Sequence, residues 1–276
     1  MRLLFDPNYI QIIKLLEGKM SNENRRSWNK HARRYQKKCR FNCNVAHYLS
    51  EAYPMENELN LLGNVSGLKV LEIGSGAGQC GIAMAKQGAH VTCLDISEEQ
   101  LAIGRKYAEK ENVNVNFVQG DMEDLSLFSS DLFDLVFSAA SISYVERIDK
   151  VFSEVFRVLK DGGRFLFSSV NPFWFALGAT ELWPEENNNP SYFYRGPERW
   201  KWNEEDDFEF ITYRRPLQDY FNSLIDAGLH IKKFIELEPV LNRLTEDTFF
   251  FMDEKEIEMA KRFPQGMIVL SEKYIK

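Results

Sequence analysis

The sequence is poor in residues that staple a chain together or carry it through a membrane. Only four cysteines occur in 276 residues, Cys39, Cys43, Cys80 and Cys93. None has a C-x-x-C partner, so neither a disulfide scaffold nor a zinc site is expected. Cys39 and Cys43 can share a helix face, but two thiols without nearby ligands make a poor metal site. Cys80 and Cys93 fall in runs expected to be core. No apolar stretch reaches the roughly 18 residues of a membrane span. Asp6, Lys14 and Glu17 interrupt the apolar residues of the N-terminus, which therefore lacks a secretory pattern. A reducing cytoplasm is the expected compartment. Met20 reads as an alternative start, because the polar run Ser21-Asn22-Glu23-Asn24 follows it. Repeats and low-complexity tracts are absent.

Acids are missing from Asn24 to Ser50, where Arg25, Arg26, Lys30, Arg33, Arg34, Lys37, Lys38 and Arg40 gather. Such a run reads first as a solvated helix face beside Trp28, Ala32 and Tyr35, and second as a grip for an anionic partner. A net charge of −7 disfavours broad binding to a nucleic-acid backbone, which needs an extended positive surface. Hydrophobic content of 44% and charged content of 27% are ordinary for a globular chain of one large domain with additions.

What the sequence does have is one concentrated signal. Val70-Leu71-Glu72-Ile73 is a short apolar strand with a carboxylate near its end, and Gly74-Ser75-Gly76-Ala77-Gly78 follows. Glycine tolerates positive φ and lets backbone lie directly against a ligand. A helix opening near Gly78 aims its free N–H groups at the loop. This is a nucleotide-type pocket at the carboxyl end of a strand. Gly76-Ala77-Gly78-Gln79-Cys80-Gly81 also fits the dinucleotide pattern G-x-G-x-x-G. Against that reading, Glu72 would crowd a pyrophosphate, and Gly74 lengthens the loop at its front.

Strands and helices then alternate. Ala89–Asp95 reads as a second strand ending in an acid; Ser97 with Gln100 makes a capping-box pattern for a helix to about Glu111. Val113–Val118 is a third strand closed by Gln119-Gly120-Asp121-Met122, and Phe133–Ser138 a fourth. Ile148, Val151, Phe152, Val155, Phe156 and Leu159 keep helical spacing, Gly162-Gly163 is expected to stop that helix, and Arg164–Val170 is the fifth strand. The alternation predicts an α/β fold, a mostly parallel sheet with helices on both faces.

E-x-G-x-G-x-G after a strand resembles motif I of the class I methyltransferases, which bind S-adenosylmethionine (SAM), and the resemblance spans residues 66 to 170. It implies a Rossmann-like sheet of seven strands with the last one antiparallel, inserted between the fifth and sixth. It also implies site residues. Glu72, Gly74, Ser75, Gly76 and Gly78 would cradle the cofactor, Asp95 with Ile96 would meet the ribose, and Gly120, Asp121 and Met122 the adenine. Ser138 and Ala139 would open the loop bordering the methyl group. Trp28–Tyr35 resembles the N-terminal segment of small-molecule methyltransferases, where an aromatic closes over the cofactor, so Tyr35 is the candidate to touch its methionine moiety.

The expected organisation is a helical cap segment (1–58) and a methyltransferase domain (59–276), the latter holding a SAM-binding core (66–170), an aromatic lid or substrate insertion (171–210) and C-terminal strands and helices (211–276). In the last region Phe208–Tyr213 and Ile231–Leu237 read as strands, Leu217 to Gly228 as a helix, Asp253–Arg262 as a short helix and Met267–Tyr274 as the final strand. Trp174, Trp183, Tyr192, Trp200 and Trp202 make the insertion aromatic, suited to excluding water or to a small satellite core.

Methyl transfer from a sulfonium is an in-line displacement that needs alignment and dryness more than a base. The loop Ser138–Tyr144 lacks the D-P-P-Y pattern of enzymes that methylate bases or glutamine, and Asn171-Pro172-Phe173-Trp174 follows the wrong strand. No Pro-Cys pair for cytosine carbon methylation occurs. Many relatives carry histidines where Ser143 and Tyr144 stand, and a histidine where Arg214 aligns. Tyr144 is the candidate catalytic residue beside the alternative of no dedicated base. His90 and His230 begin strands, while His31 and His47 lie where they can reach the mouth. The expected function is SAM-dependent methylation of an O, N or C nucleophile on a small molecule, without metal, nucleic acid or membrane. The alternatives are a SAM-binding regulatory or interaction protein without turnover and a nicotinamide-dependent oxidoreductase. The acceptor and the oligomeric state are not legible.

Overall fold

The computed structural model describes residues 7–39, 41–178, 191–203, 205–244 and 254–274. Asp6, Arg40, Trp183 and Asp253, singled out above, lie outside the described residues, as do the side chains of Lys14, Glu17 and Met20. In chain order the elements are α1 (Pro7–Cys39), α2 (Glu56–Leu59), β1 (Lys69–Ile73), α3 (Gln79–Lys86), β2 (His90–Asp95), α4 (Glu98–Lys110), β3 (Val115–Gln119), β4 (Phe133–Ser138), α5 (Ile148–Val158), β5 (Leu159–Val170), α6 (Pro172–Gly178), β6 (Gly196–Trp200), β7 (Phe210–Arg214), α7 (Leu217–Asp226), β8 (Leu229–Leu237), α8 (Glu254–Ala260) and β9 (Gly266–Lys273).

Seven strands form one sheet in the order β3-β2-β1-β4-β5-β9-β8. β1 to β5 run parallel, and β9 pairs antiparallel with both β5 and β8. The expected insertion of the last strand is therefore present. Strands such as β1 and β4 are buried along nearly their whole length because both faces of a parallel sheet are covered. Alternate residues of β5 feed two cores: Phe165 and Phe167 pack with Phe152 and Tyr220, and Leu166 packs with Tyr48, Tyr53 and Phe137 on the other face. In α5, Ile148, Val151, Phe152, Val155 and Val158 supply the buried stripe, as their spacing predicts.

Three expectations change. Gly162-Gly163 does not stop a helix. α5 ends at Val158, and the glycines sit inside β5, where the six residues from Leu159 to Arg164 span what β4 crosses in three, from Phe133 to Leu135. Gly162 takes φ +72 there, so the pair forms a bulge. The strand expected at Phe208–Tyr213 is β7, starting at Phe210, and it leaves the main sheet to pair with β6 in a separate hairpin. The third strand starts at Val115, because the Val113 N–H is taken by the Ala108 carbonyl at the end of α4.

The basic face of α1 is solvated as expected, and its cations also pair with acids. Arg25 pairs with Glu98 at 2.9 Å, Lys30 with Asp207 at 2.7 Å and Arg34 with Asp206 at 3.0 Å. The cationic helix clasps α4 on one side and the acidic turn before β7 on the other. Asn24 fastens it from within: its side chain accepts from the Ile211 N–H at 2.8 Å and donates to the Ile211 carbonyl at 2.9 Å.

Candidate active site

The loop leaving β1 turns through left-handed backbone at Gly74 (φ +60), Gly76 (φ +56) and Gly78 (φ +69). At Gly74 a Cβ would lie 2.3 Å from Ser141 Oγ and 2.6 Å from Met122 Cε, so glycine is required by space as well as by φ. At Gly76 nothing comes nearer than Gln100 Oε1 at 4.0 Å, and the backbone lies open to the cavity above it. Gly78 caps α3 from beneath, against Phe117 and Cys93.

Two carboxylates bracket this loop. Asp95, at the end of β2, accepts from the Gly76 N–H at 2.7 Å and the Ser97 N–H at 2.8 Å. Those donors favour its charged form, but burial outweighs them and pushes the carboxyl up to about 6. Glu72 is 2% exposed and accepts from the Gly81 N–H at 2.8 Å and Cys93 Sγ at 3.4 Å. Burial raises it to about 8, so at neutral pH it is mostly a protonated clamp joining β1, β2 and the first turn of α3.

Ser97 Oγ accepts from the Gln100 N–H at 3.2 Å, one half of the expected capping box. The Gln100 side chain does not return the bond. It accepts from Gln36 of α1 at 2.8 Å, and Gln36 in turn accepts from Gln79. Asp121, after β3, accepts from the Glu123 N–H at 2.9 Å and from Ser21 Oγ of α1.

These groups surround a cavity of 770 Å³ that runs from the glycine loop to the β6–β7 hairpin. Tyr35, Glu72, Gly74, Ser75, Gly76, Asp95, Ile96, Gly120, Asp121, Met122, Ala139 and Tyr144 line it. Gly78 and Ser138, also expected there, do not. Gly78 packs below the loop, and Ser138 is fully buried behind the wall, its Oγ 2.6 Å from Ser141 Oγ. Ser75 Oγ is buried at the cavity wall with no hydrogen-bond partner.

Sequence reasoning placed Trp200 in the aromatic wall and missed Ser21, Gln36, Glu198 and Tyr213; all five line the cavity. For Glu198 and Trp200 the alternation shows only in the folded strand. Gly196, Glu198 and Trp200 are half-buried, while Pro197, Arg199 and Lys201 are exposed, a period of two. Ser21 and Gln36 carry no local signal, since only tertiary packing brings α1 to the loop.

The histidines divide. His47 lines the cavity, stacked on Phe41 at 3.9 Å with Nδ1 3.2 Å from Cys80 Sγ, and burial lowers it to about 4. His31 is buried against Trp202 instead and does not line the cavity. Tyr144 packs edge-on against Trp28 at 5.4 Å, and burial raises its phenol well above the usual range. It stays protonated at neutral pH, a donor and a wall. Arg214 stands 3.9 Å from Glu198.

The residues present fit SAM. A pinned carboxylate beside exposed backbone suits ribose hydroxyls, the orphaned Ser75 hydroxyl suits a polar ligand atom, and the acidic rim suits a cation. Among the described residues no group of three or more His, Cys, Asp or Glu is arranged to hold a metal, and no helix is long and apolar enough to cross a membrane.

Comparison with known proteins agrees. A family model described as "Methyltransferase domain" matches residues 64–212. An uncharacterized methyltransferase, YbaJ, of Bacillus subtilis is 36% identical over 180 residues, 62% of this chain and 69% of that protein. The ubiquinone/menaquinone biosynthesis C-methyltransferase UbiE of Bartonella bacilliformis is 35% identical over 150 residues, 46% of this chain and 57% of that one. The chain thus spans little more than half the length of that second relative. The crystal structure of an S-adenosylmethionine dependent methyltransferase from Mesorhizobium loti superposes with a TM-score of 0.63 at 26% identity, covering 78% of this chain and 94% of that one. Sheet order, glycine loop and relatives converge: the chain belongs to the class I SAM-dependent methyltransferases and is an enzyme that uses SAM.

Proposed function

We propose that the protein transfers a methyl group from SAM to an oxygen, nitrogen or carbon nucleophile of a small molecule by in-line displacement. The observation that carries this reading is the single 770 Å³ cavity joining the glycine loop to the aromatic hairpin. Its volume is that of a small-molecule site, and it stays open beyond the loop, which supports turnover over mere cofactor storage.

In this reading Asp95 accepts the ribose hydroxyls, and the Gly74–Gly76 backbone lies against the cofactor. Asp121 and Met122 hold the adenine, Asp121 exchanging Ser21 for the ligand. Tyr35, with Ser75 Oγ, meets the methionine end. Gly78 and Ser138 act from behind, one shaping the turn and the other bracing Ser141. Bound SAM supplies an electrophilic methyl carbon on a sulfonium. The protein's task is to hold the acceptor atom about 3 Å from it, in line, and dry. Trp28, Tyr144, Trp200 and Tyr213 provide the water-excluding wall. Tyr144 keeps its proton and orients the acceptor by donating a hydrogen bond. A cytoplasmic setting, no nucleic-acid partner and no membrane belong to the same reading, supported by four free thiols.

Calorimetric titration with SAM, S-adenosylhomocysteine and NADH in parallel tests it. Saturable binding of the two adenosyl ligands alone is expected, followed by transfer of labelled methyl to a small acceptor. Binding of NADH in their place would overturn it.

A further inference from the structure

The end of the cavity away from the glycine loop is walled by carboxylates. Glu123, Glu146 and Glu198 reach it, and Lys201 is the one lysine or arginine among the described lining residues, with its side chain exposed. Two of these acids are already engaged. Glu123 accepts from the Glu146 N–H at 2.8 Å and the Arg147 N–H at 3.1 Å, and Glu146 accepts from the Tyr213 hydroxyl at 3.4 Å.

Glu198 differs. It stands on β6 opposite Thr212, its side chain is 13% exposed, and its nearest cation, Arg214, is 3.9 Å away, beyond hydrogen-bond length. No hydrogen bond reaches its carboxylate among the described residues. Buried carboxylates are normally satisfied by donors, and one that lacks them is a place where a donor ligand gains. Burial pushes the Glu198 carboxyl upward, and the nearby Arg214 charge offsets this only in part. Trp28, Trp200 and Tyr213 line the same cavity, and aromatic faces attract cations and pack flat rings.

We propose that the acceptor is an arylalkylamine, its ring held among Trp28, Trp200 and Tyr213 and its ammonium held by Glu198, whose carboxylate takes one ammonium proton so that the freed nitrogen lone pair displaces the methyl from the sulfonium and releases S-adenosylhomocysteine. The proposal rests on the methyltransferase reading of the same cavity and names its substrate class. Glu198 is then a specificity residue. It draws the cationic acceptor in, and with Glu123 and Glu146 it repels acceptors bearing a carboxylate or phosphate, discrimination by repulsion as well as attraction.

The test uses the full chain saturated with S-adenosylhomocysteine. Phenethylamine, tyramine and tryptamine are titrated against the acids of matching ring and chain, such as 3-phenylpropanoate for phenethylamine. The amines are expected to bind at least about tenfold more tightly than the acids, the usual effect of one charged hydrogen bond. Glu198→Gln should erase that preference by weakening the amines about tenfold or more, with affinity for S-adenosylhomocysteine unchanged. Acids binding as well as amines, no amine binding to the loaded protein, or amine affinity unaltered in Glu198→Gln would each overturn the proposal. The wild-type ranking needs no variant to fold. If S-adenosylhomocysteine itself does not bind, the methyltransferase reading fails first, and separately.

Discussion

The floor of the cavity, from Gly74 to Asp95, is held by backbone, whereas its roof, from α1 to β7, is held by side chains. In the floor, strand pairing fixes where β1 and β2 end, and N–H groups of Gly76, Ser97 and Gly81 pin the two acids. In the roof, Asn24, Ser21, Gln36 and three ion pairs tie one helix to segments 43 to 187 residues away in sequence. A site made of backbone is defined by a few adjacent residues. A site made of side chains depends on distant parts of the chain meeting, and is free to vary in what it admits.

That contrast can be broken at the floor with the largest effect. Gly74→Val places a branched side chain where a Cβ already collides with Ser141 and Met122, and forces φ +60 on a β-branched residue. Loss of detectable SAM binding by calorimetry is expected, together with a lowered unfolding midpoint. Retained affinity would mean the loop is not the cofactor's floor.

Asp95→Ala is next. It removes one carboxylate, and with it the acceptor of the Gly76 N–H, without adding bulk to the loop, so SAM affinity should fall by about 1–3 kcal/mol, several-fold to a hundredfold. The pH dependence has a defined sign. The Asp95 carboxyl, raised to about 6 by burial, is charged above that value and accepts two hydroxyls. Affinity should therefore hold from pH 7 to 8 and decline as pH falls through about 6, by up to tenfold per unit, in wild type but not in Asp95→Ala. Titrations from pH 5 to 8 check this.

Asn24→Ala sharpens the comparison from the roof. It removes the two hydrogen bonds to Ile211 and leaves those backbone groups without their buried partner, for a loss of about 1–3 kcal/mol in stability. Its kinetic mark should be a raised acceptor KM with SAM affinity within about twofold of wild type. Equal losses for both ligands would deny that floor and roof are separately built. The smallest effect belongs to Lys30→Ala, whose ion pair with Asp207 is solvent-exposed and screened. An unfolding midpoint unchanged within error is expected by calorimetric scan.

Legibility in the sequence follows the same line. Alternating strands and helices were readable because each signal is local, and so were the glycine loop, Asp95 and Asp121. The Gly162-Gly163 pair misled because glycine serves a bulge as readily as a helix end, and only the β4 register separates the two. The β6–β7 hairpin was hidden for a different reason. Its alternation was visible at Phe208–Tyr213, but period alone does not tell which sheet a strand joins. Glu198 was overlooked beside its more conspicuous aromatic neighbours, and Ser21 meets Asp121 only because α1 crosses the mouth.

Helix α1 touches Asp121 through Ser21 and β7 through Asn24, so it borders both ends of one chamber. Its consequence is an order of events. The same helix lies over both ends, so the expected order is that the ligand against the glycine loop enters first and leaves last. Kinetics should then show a compulsory sequence, with the methylated product departing first and S-adenosylhomocysteine last.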